Sequence, residues 1–264
     1  MEIGYNKNVR YILSFIGIEN VELIEAYIEN ILRQEFVDFS SEEDITKVLE
    51  EYANSYTGKL ALNEIETIRS YTGFRFRELN AVLRNNWNYE INGKLTDEIR
   101  REYLSLSEDI KQIIAKTTDL PTNIKTYRGV SIDAFSGYGI RKINDLKYLE
   151  GKYLYESGFT STSLVEKNCF FYNQSDWGTK SNILIEYLVP SSDDGIWLNN
   201  DLLSYSASQN EFLINSASLF KVLNVEVNNL DDTVKMQVML IPKKMWNKVD
   251  YEIQKNNVND SLKR

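Results

Sequence analysis

Apolar residues recur at helical spacing in the first part of the chain. Val21, Ile24, Tyr27, Ile28, Ile31 and Leu32 form one such stripe, and Leu79, Val82 and Leu83 form part of another. Three residue pairs carry the spacing of a reciprocal N-terminal cap: Ser40 with Glu43, Asn63 with Glu66, and Ser105 with Glu108. Each predicts a helix start at that point. The character changes near residue 119. Beyond Leu120-Pro121 the pattern is that of strands, with a β-rich run from Ile183 to Val189 that stops at Pro190. Glu211 to Ile214, Leu219 to Val227 and Val234 to Ile241 follow, the last two joined by a polar turn at 228–232. Helices first and strands later predict an α+β fold rather than alternating βαβ units.

Composition narrows the function classes. The 264 residues suffice for one large domain, or for a domain with a helical extension. Residues 1–37 read as one or two extra helices, and 247–264 as a polar tail. The apolar run from Tyr11 to Ile18 is followed at once by charged residues and has no small-residue cleavage pattern. It reads as a core helix rather than a signal peptide. No stretch approaches the roughly 20 apolar residues of a membrane span. A net charge of −9 argues against a nucleic-acid partner.

The single cysteine, Cys169, excludes an internal disulfide and a cysteine-built zinc cluster. Beside Phe170 and Phe171 it reads as a buried small hydrophobe. The chain contains no histidine, which excludes Ser-His-Asp and Cys-His catalysis and His-ligated metals. No glycine-rich phosphate loop of either common type is present. Any chemistry must therefore run on carboxylates, arginine, hydroxyls and amides.

Four short stretches carry side chains suited to such chemistry. Tyr127-Arg128-Gly129 follows a short strand-like run. An arginine at a strand end can hold a diphosphate through its fork, and a glycine lets a ligand approach the backbone. Phe159-Thr160-Ser161-Thr162-Ser163 places Ser161 and Ser163 on one face of a strand, where two hydroxyls can orient a carboxylate or a ribose. Gln209 and Glu211 share one face at the head of an apolar strand, and a carboxylate there can stabilise an oxocarbenium-like transition state. Tyr71-Thr72-Gly73 precedes a helix that presents Asn80 and Arg84 on one face. Each stretch alone is equally an ordinary feature: a surface arginine, a β-edge with wet hydroxyls, a solvated glutamate, a polar helix face. Their order along the chain carries the inference.

Taken together, these motifs resemble the Arg–Ser–Glu class of mono-ADP-ribosyltransferase toxins. The similarity is to clostridial Rho-modifying exoenzymes and to the enzymatic components of binary toxins, over roughly residues 38–243. The resemblance implies an ADP-ribosyltransferase domain at 38–246, an N-terminal helical portion packed on a mixed or antiparallel β-sandwich core, and NAD as co-substrate with no metal. It further implies that Arg128, with Gly129, binds the NAD diphosphate, and that Ser161 orients Glu211, with Thr162 and Ser163 completing that strand. Glu211 would stabilise the ribosyl cation as nicotinamide leaves, and Gln209 would engage the acceptor side chain. Asn80 and Arg84 would line the adenosine and phosphate side, Phe170 would supply the aromatic contact, and Tyr205 would lie in the substrate-recognising loop.

In this class, glutamine at position 209 is similar to the asparagine-modifying, Rho-directed enzymes, and an amide can exchange paired hydrogen bonds with an amide. The expected activity is ADP-ribose transfer from NAD to an asparagine of a Rho-type GTPase, by a secreted protein acting in a host cytosol. Several alternatives stay open. These are an arginine-directed, actin-type transferase whose N-terminal helices dock a translocation component, an NAD glycohydrolase, a non-catalytic binding domain of the same fold, and an intracellular effector. The chain departs from the class in two ways: 164–180 holds Lys167 but no arginine, and the charge is acidic.

Overall fold

The computed structural model describes residues 21–84, 96–169, 182–192, 194–198, 203 and 210–245. Helices come first: α1 (Val21–Ile31), α2 (Glu42–Thr57), α3 (Leu62–Ser70), α4 (Phe76–Leu83) and α5 (Asp97–Ile114). The strands follow: β1 (Ile124–Val130), β2 (Tyr153–Glu156), β3 (Thr160–Ser163), β4 (Ile183–Val189), β5 (Gly195–Trp197), β6 (Glu211–Ile214), β7 (Ser218–Asn228) and β8 (Thr233–Ile241). This is the expected α+β arrangement. The apolar run at 11–18 and the tail at 247–264 lie outside the described residues. No described helix is long and apolar enough to cross a membrane.

The helix starts differ from the cap expectations. Ser41 rather than Ser40 caps α2, accepting from the Asp44 N–H at 3.2 Å, while Ser40 donates to the Asp44 carboxylate. Helix α3 begins at Leu62, with its cap at Ala61, two residues before the predicted cap Asn63. The Glu64 carboxylate reaches back to the Ala61 N–H at 2.9 Å and is held by Lys116 at 2.6 Å. A tertiary ion pair, absent from local sequence, decides that start. Ser105 and Glu108 lie inside α5, which Thr96 caps. Its apolar stripe through Tyr103, Leu106, Ile110 and Ile113 runs on without a break, so no new helix begins there.

The strands form one mixed sheet in the order β2-β7-β8-β4-β1-β3-β6-β5, antiparallel except for the parallel β4–β8 pair. The β1–β3 ladder consists of one residue pair, Tyr127 opposite Ser163. The sheet thus divides into a five-stranded and a three-stranded half that meet at that pair. Residues of α2 to α5 share one main core with both halves of the sheet. Tyr56, Ile68, Leu79 and Ile110 cluster with Ile185, Val222 and Met236 of the large half and with Ile196, Phe212 and Leu213 of the small one. Tyr52 and Tyr56 of α2 also donate to β5 carbonyls. Helix α1 covers the opposite face: Ile24, Ile28 and Ile31 pack on Leu188, Leu219 and Met239. Glu25 fixes this helix by accepting from the Tyr153 hydroxyl at 2.6 Å and pairing with Lys221.

Candidate active site

Glu211 opens β6 immediately after a forced turn in the chain. Asn210 has φ of 45°, a left-handed conformation that asparagine tolerates better than bulkier residues do. The backbone on either side is held, because the Asn210 carbonyl accepts from the Leu164 N–H at 2.9 Å and the Glu211 carbonyl from the Leu198 N–H at 2.9 Å. Glu211 is only 6% exposed, yet it forms part of the wall of a cleft.

Ser161 supplies the partner of this carboxylate. It stands opposite Leu213 in the β3–β6 ladder, one diagonal step from Glu211, and its hydroxyl donates to the Glu211 carboxylate. Burial raises the Glu211 pKa, and the Ser161 hydrogen bond and the Arg128 charge pull it back in part. The result is a carboxylate set in a largely dry wall, with one donor and one cation stabilising its ionised form.

Arg128 lies on β1, next to the junction of the two sheet halves, and lines the same cleft with Tyr127 and Gly129. It makes no salt bridge with any described carboxylate, so its fork is available to an anion entering the cleft. The cleft measures about 450 Å³, in the range of small-molecule sites. Its remaining wall is helical, and here the structure differs from expectation. Tyr71-Thr72-Gly73 precedes helix α4 as expected, but it is itself helical rather than a lead-in. It forms a π-helical turn, Tyr71–Arg75, between α3 and α4. Such a turn carries an extra residue and recurs at functional sites. Tyr71 packs edge-on against Phe159, while Thr72, Gly73, Phe76 and Arg77 line the cleft.

The other expected site residues fall into three groups. Thr162 and Ser163 line the cleft, but their hydroxyls serve the backbone: Thr162 donates to the Phe212 carbonyl at 2.7 Å, and Ser163 to the Val165 carbonyl at 2.9 Å. Asn80 lines the cleft and is bound to the backbone of Phe159, whereas Arg84 is outside the cleft lining and forms a bidentate pair with Glu156. Phe170, Tyr205 and Gln209 lie outside the described residues. Cys169 also lines the cleft, and burial pushes its thiol up to about 12, so it is neutral and inert near pH 7.

The geometry places an arginine, a serine-bound glutamate and a helical wall around one cleft. The sequence profile of the ADP-ribosyltransferase exoenzymes matches residues 47–256. The chain belongs to that family. It is an NAD-dependent mono-ADP-ribosyltransferase. No curated protein matches the chain by sequence. Solved structures agree in fold. The exoenzyme C3stau2 from S. aureus, solved with NAD, is 18% identical with a TM-score of 0.60, covering 80% of this chain and 100% of its own. The C3 exoenzyme of Clostridium limosum is 20% identical with a TM-score of 0.60, covering 79% and 98%. BECa, from a binary enterotoxin of C. perfringens and solved with NADH, is 15% identical with a TM-score of 0.64, covering 79% and 50%.

Sequence reading missed several parts of this exoenzyme's cleft. Phe76 and Arg77 are cleft residues, and the signal was an aromatic residue among charges on the polar side of a helix. Glu156, outside the cleft lining, was also missed, because it is fixed by Arg84, 72 residues away in sequence, as well as by the Gly158 N–H.

Proposed function

We propose that this exoenzyme transfers ADP-ribose from NAD to an asparagine of a Rho-type GTPase, as a secreted toxin acting in a host cell. The observation that carries the catalytic part is the Ser161–Glu211 hydrogen bond in a cleft shared with Arg128. Arg128 grips the NAD diphosphate. The bond between the nicotinamide-ribose C1′ and the pyridinium nitrogen breaks, and nicotinamide leaves with the bonding electrons. Glu211, ionised and oriented by Ser161, stabilises the positive charge left on the ribose. The acceptor amide nitrogen then attacks C1′ and gives up its proton to water. No histidine base is needed, in keeping with a chain that has none.

The acceptor part rests on Gln209, two residues before Glu211. A glutamine amide donates to and accepts from an asparagine amide at once, whereas a carboxylate there suits a guanidinium. The test is incubation with labelled NAD and a eukaryotic lysate, with the labelled residue identified by mass spectrometry. A label on an asparagine of a small GTPase, weakened in Gln209→Glu while nicotinamide release persists, is the expected result. A label on arginine overturns the acceptor assignment, and nicotinamide release without any protein label makes the protein a glycohydrolase.

A further inference from the structure

Asn80 and Arg84 lie one helical turn apart at the end of α4, and both reach the short link between β2 and β3. The Asn80 Oδ1 accepts from the Phe159 N–H at 2.8 Å, and its Nδ2 donates to the Phe159 carbonyl at 3.2 Å. One buried amide thus holds both backbone groups of one residue. Arg84 donates through two nitrogens to the Glu156 carboxylate at 2.9 and 3.0 Å, and that carboxylate also accepts from the Gly158 N–H at 2.6 Å. The fit leaves no room for a side chain at position 158. A Cβ there would stand 2.7 Å from the Asn80 Oδ1 and 3.1 Å from the Glu156 Oε1.

The link so gripped leads directly into β3. That strand has four residues and meets β1 at one residue pair. All four residues of β3 pair with β6, but its tie to the large half is that single pair, and the side-chain bonds at Phe159 and Gly158 add to the placement of its start. Ser161 is two residues beyond Phe159.

We infer that Asn80 and the Arg84–Glu156 pair are positioning residues that set the start of β3 and thereby hold the Ser161 hydroxyl on Glu211. This rests on the reading of Ser161 and Glu211 as the working pair. It differs from the role that the family resemblance implies, in which Asn80 and Arg84 act as direct contacts to NAD.

The test is a double-mutant cycle in the full-length protein, measuring NAD affinity by titration and nicotinamide release at saturating NAD. Misplacing a reacting group by about 1 Å can cost about 100-fold in rate, so Asn80→Ala should lower kcat by up to that factor while KM for NAD changes little. In the Asn80→Ala background, Ser161→Ala should cost much less than it does in the wild type, because the hydroxyl is already displaced. Glu156→Ala, at the more exposed end of the link, provides a second variant should Asn80→Ala not fold. It should lower kcat in the same way, and Glu156→Gln, which keeps an oxygen for the Gly158 N–H, should restore most of the rate. Full additivity of Asn80→Ala with Ser161→Ala, or a loss confined to KM, overturns the inference and returns Asn80 to a direct NAD contact. If Ser161→Ala alone leaves the rate unchanged, the reading of the Ser161–Glu211 pair fails, and the inference fails with it.

Discussion

The two halves of the sheet are held together by different means. In the large half the backbone does most of the work: β7 and β8 run for 11 and 9 residues, and β1 pairs with β4 along its full length from Ile124 to Val130. In the small half β3 and β6 have four residues each and β5 has three. Here side chains take over part of the ladder's role. Tyr52 donates to the Gly195 carbonyl at 2.9 Å, Tyr56 donates to the Trp197 carbonyl, and Thr162 donates to the Phe212 carbonyl. Asn80 grips Phe159 in the same manner. Glu211 and Ser161 sit in this small half, and Arg128 borders it from the large one. The contrast points to a division of labour: long ladders hold the large half, and side-chain-to-backbone bonds help to place the strands that carry Ser161 and Glu211.

That contrast can be broken from either side. The largest loss of stability should come from the large half. Met236 is fully buried in the main core, and Met236→Ala should cost about 2–5 kcal/mol by removing packed atoms and leaving a cavity. The folded fraction should nevertheless retain its kcat, which denaturant titration and nicotinamide release together would check. In the small half, Tyr56→Phe leaves the Trp197 carbonyl without that donor and should cost about 1–3 kcal/mol. Its distinguishing effect should be a fall in kcat beyond what unfolding explains, since β5 supports β6. An unchanged kcat in Tyr56→Phe would erase the proposed distinction between the halves.

The smallest effect sharpens the comparison at the carboxylate itself. Burial raises the Glu211 pKa above its ordinary 4.5, and in the proposed mechanism the ionised form is the working one. Activity should therefore fall on the acid side at a pH above the ordinary carboxylate range. Ser161→Ala removes a bond that stabilises the carboxylate, so this acid limb should move to higher pH. The stability sign runs the other way. A raised folded-state pKa favours folding fully below the unfolded value, and that contribution is lost as pH rises through the folded value. A pH-rate profile of Ser161→Ala superimposable on the wild type would contradict the coupling.

The same division explains what could be read from the sequence. The strands of the large half were legible in Ile183–Val189, 219–227 and 234–241 because long apolar runs ended at Pro190 or at the polar turn 228–232. The α+β class followed from those runs and the helical stripes before them. Arg128, Ser161 and Glu211 were legible because their residue types and order fit one chemistry, and the fold brings all three to one cleft. The short β2 and β5 were not, since three or four residues carry too little periodicity to register. Nor were the π-helical turn at Tyr71–Arg75, the start of α3 at Leu62, or the hold of Glu156 on Gly158. Glu64 at the start of α3 and Glu156 are held by Lys116 and Arg84, which lie 52 and 72 residues away in sequence. Gln209, Tyr205 and Phe170 keep the roles that the resemblance implies, as proposals.

The most direct test of the central claim, that Glu211 supported by Ser161 cleaves NAD in this cleft, is nicotinamide release by Glu211→Gln with NAD affinity measured in parallel. The substitution removes the charge and little volume. Loss of a charge interaction made mainly in the transition state should lower the rate by about 10²–10³-fold while leaving affinity within a small factor. A Glu211→Gln protein that binds NAD and releases nicotinamide at the wild-type rate would contradict the account.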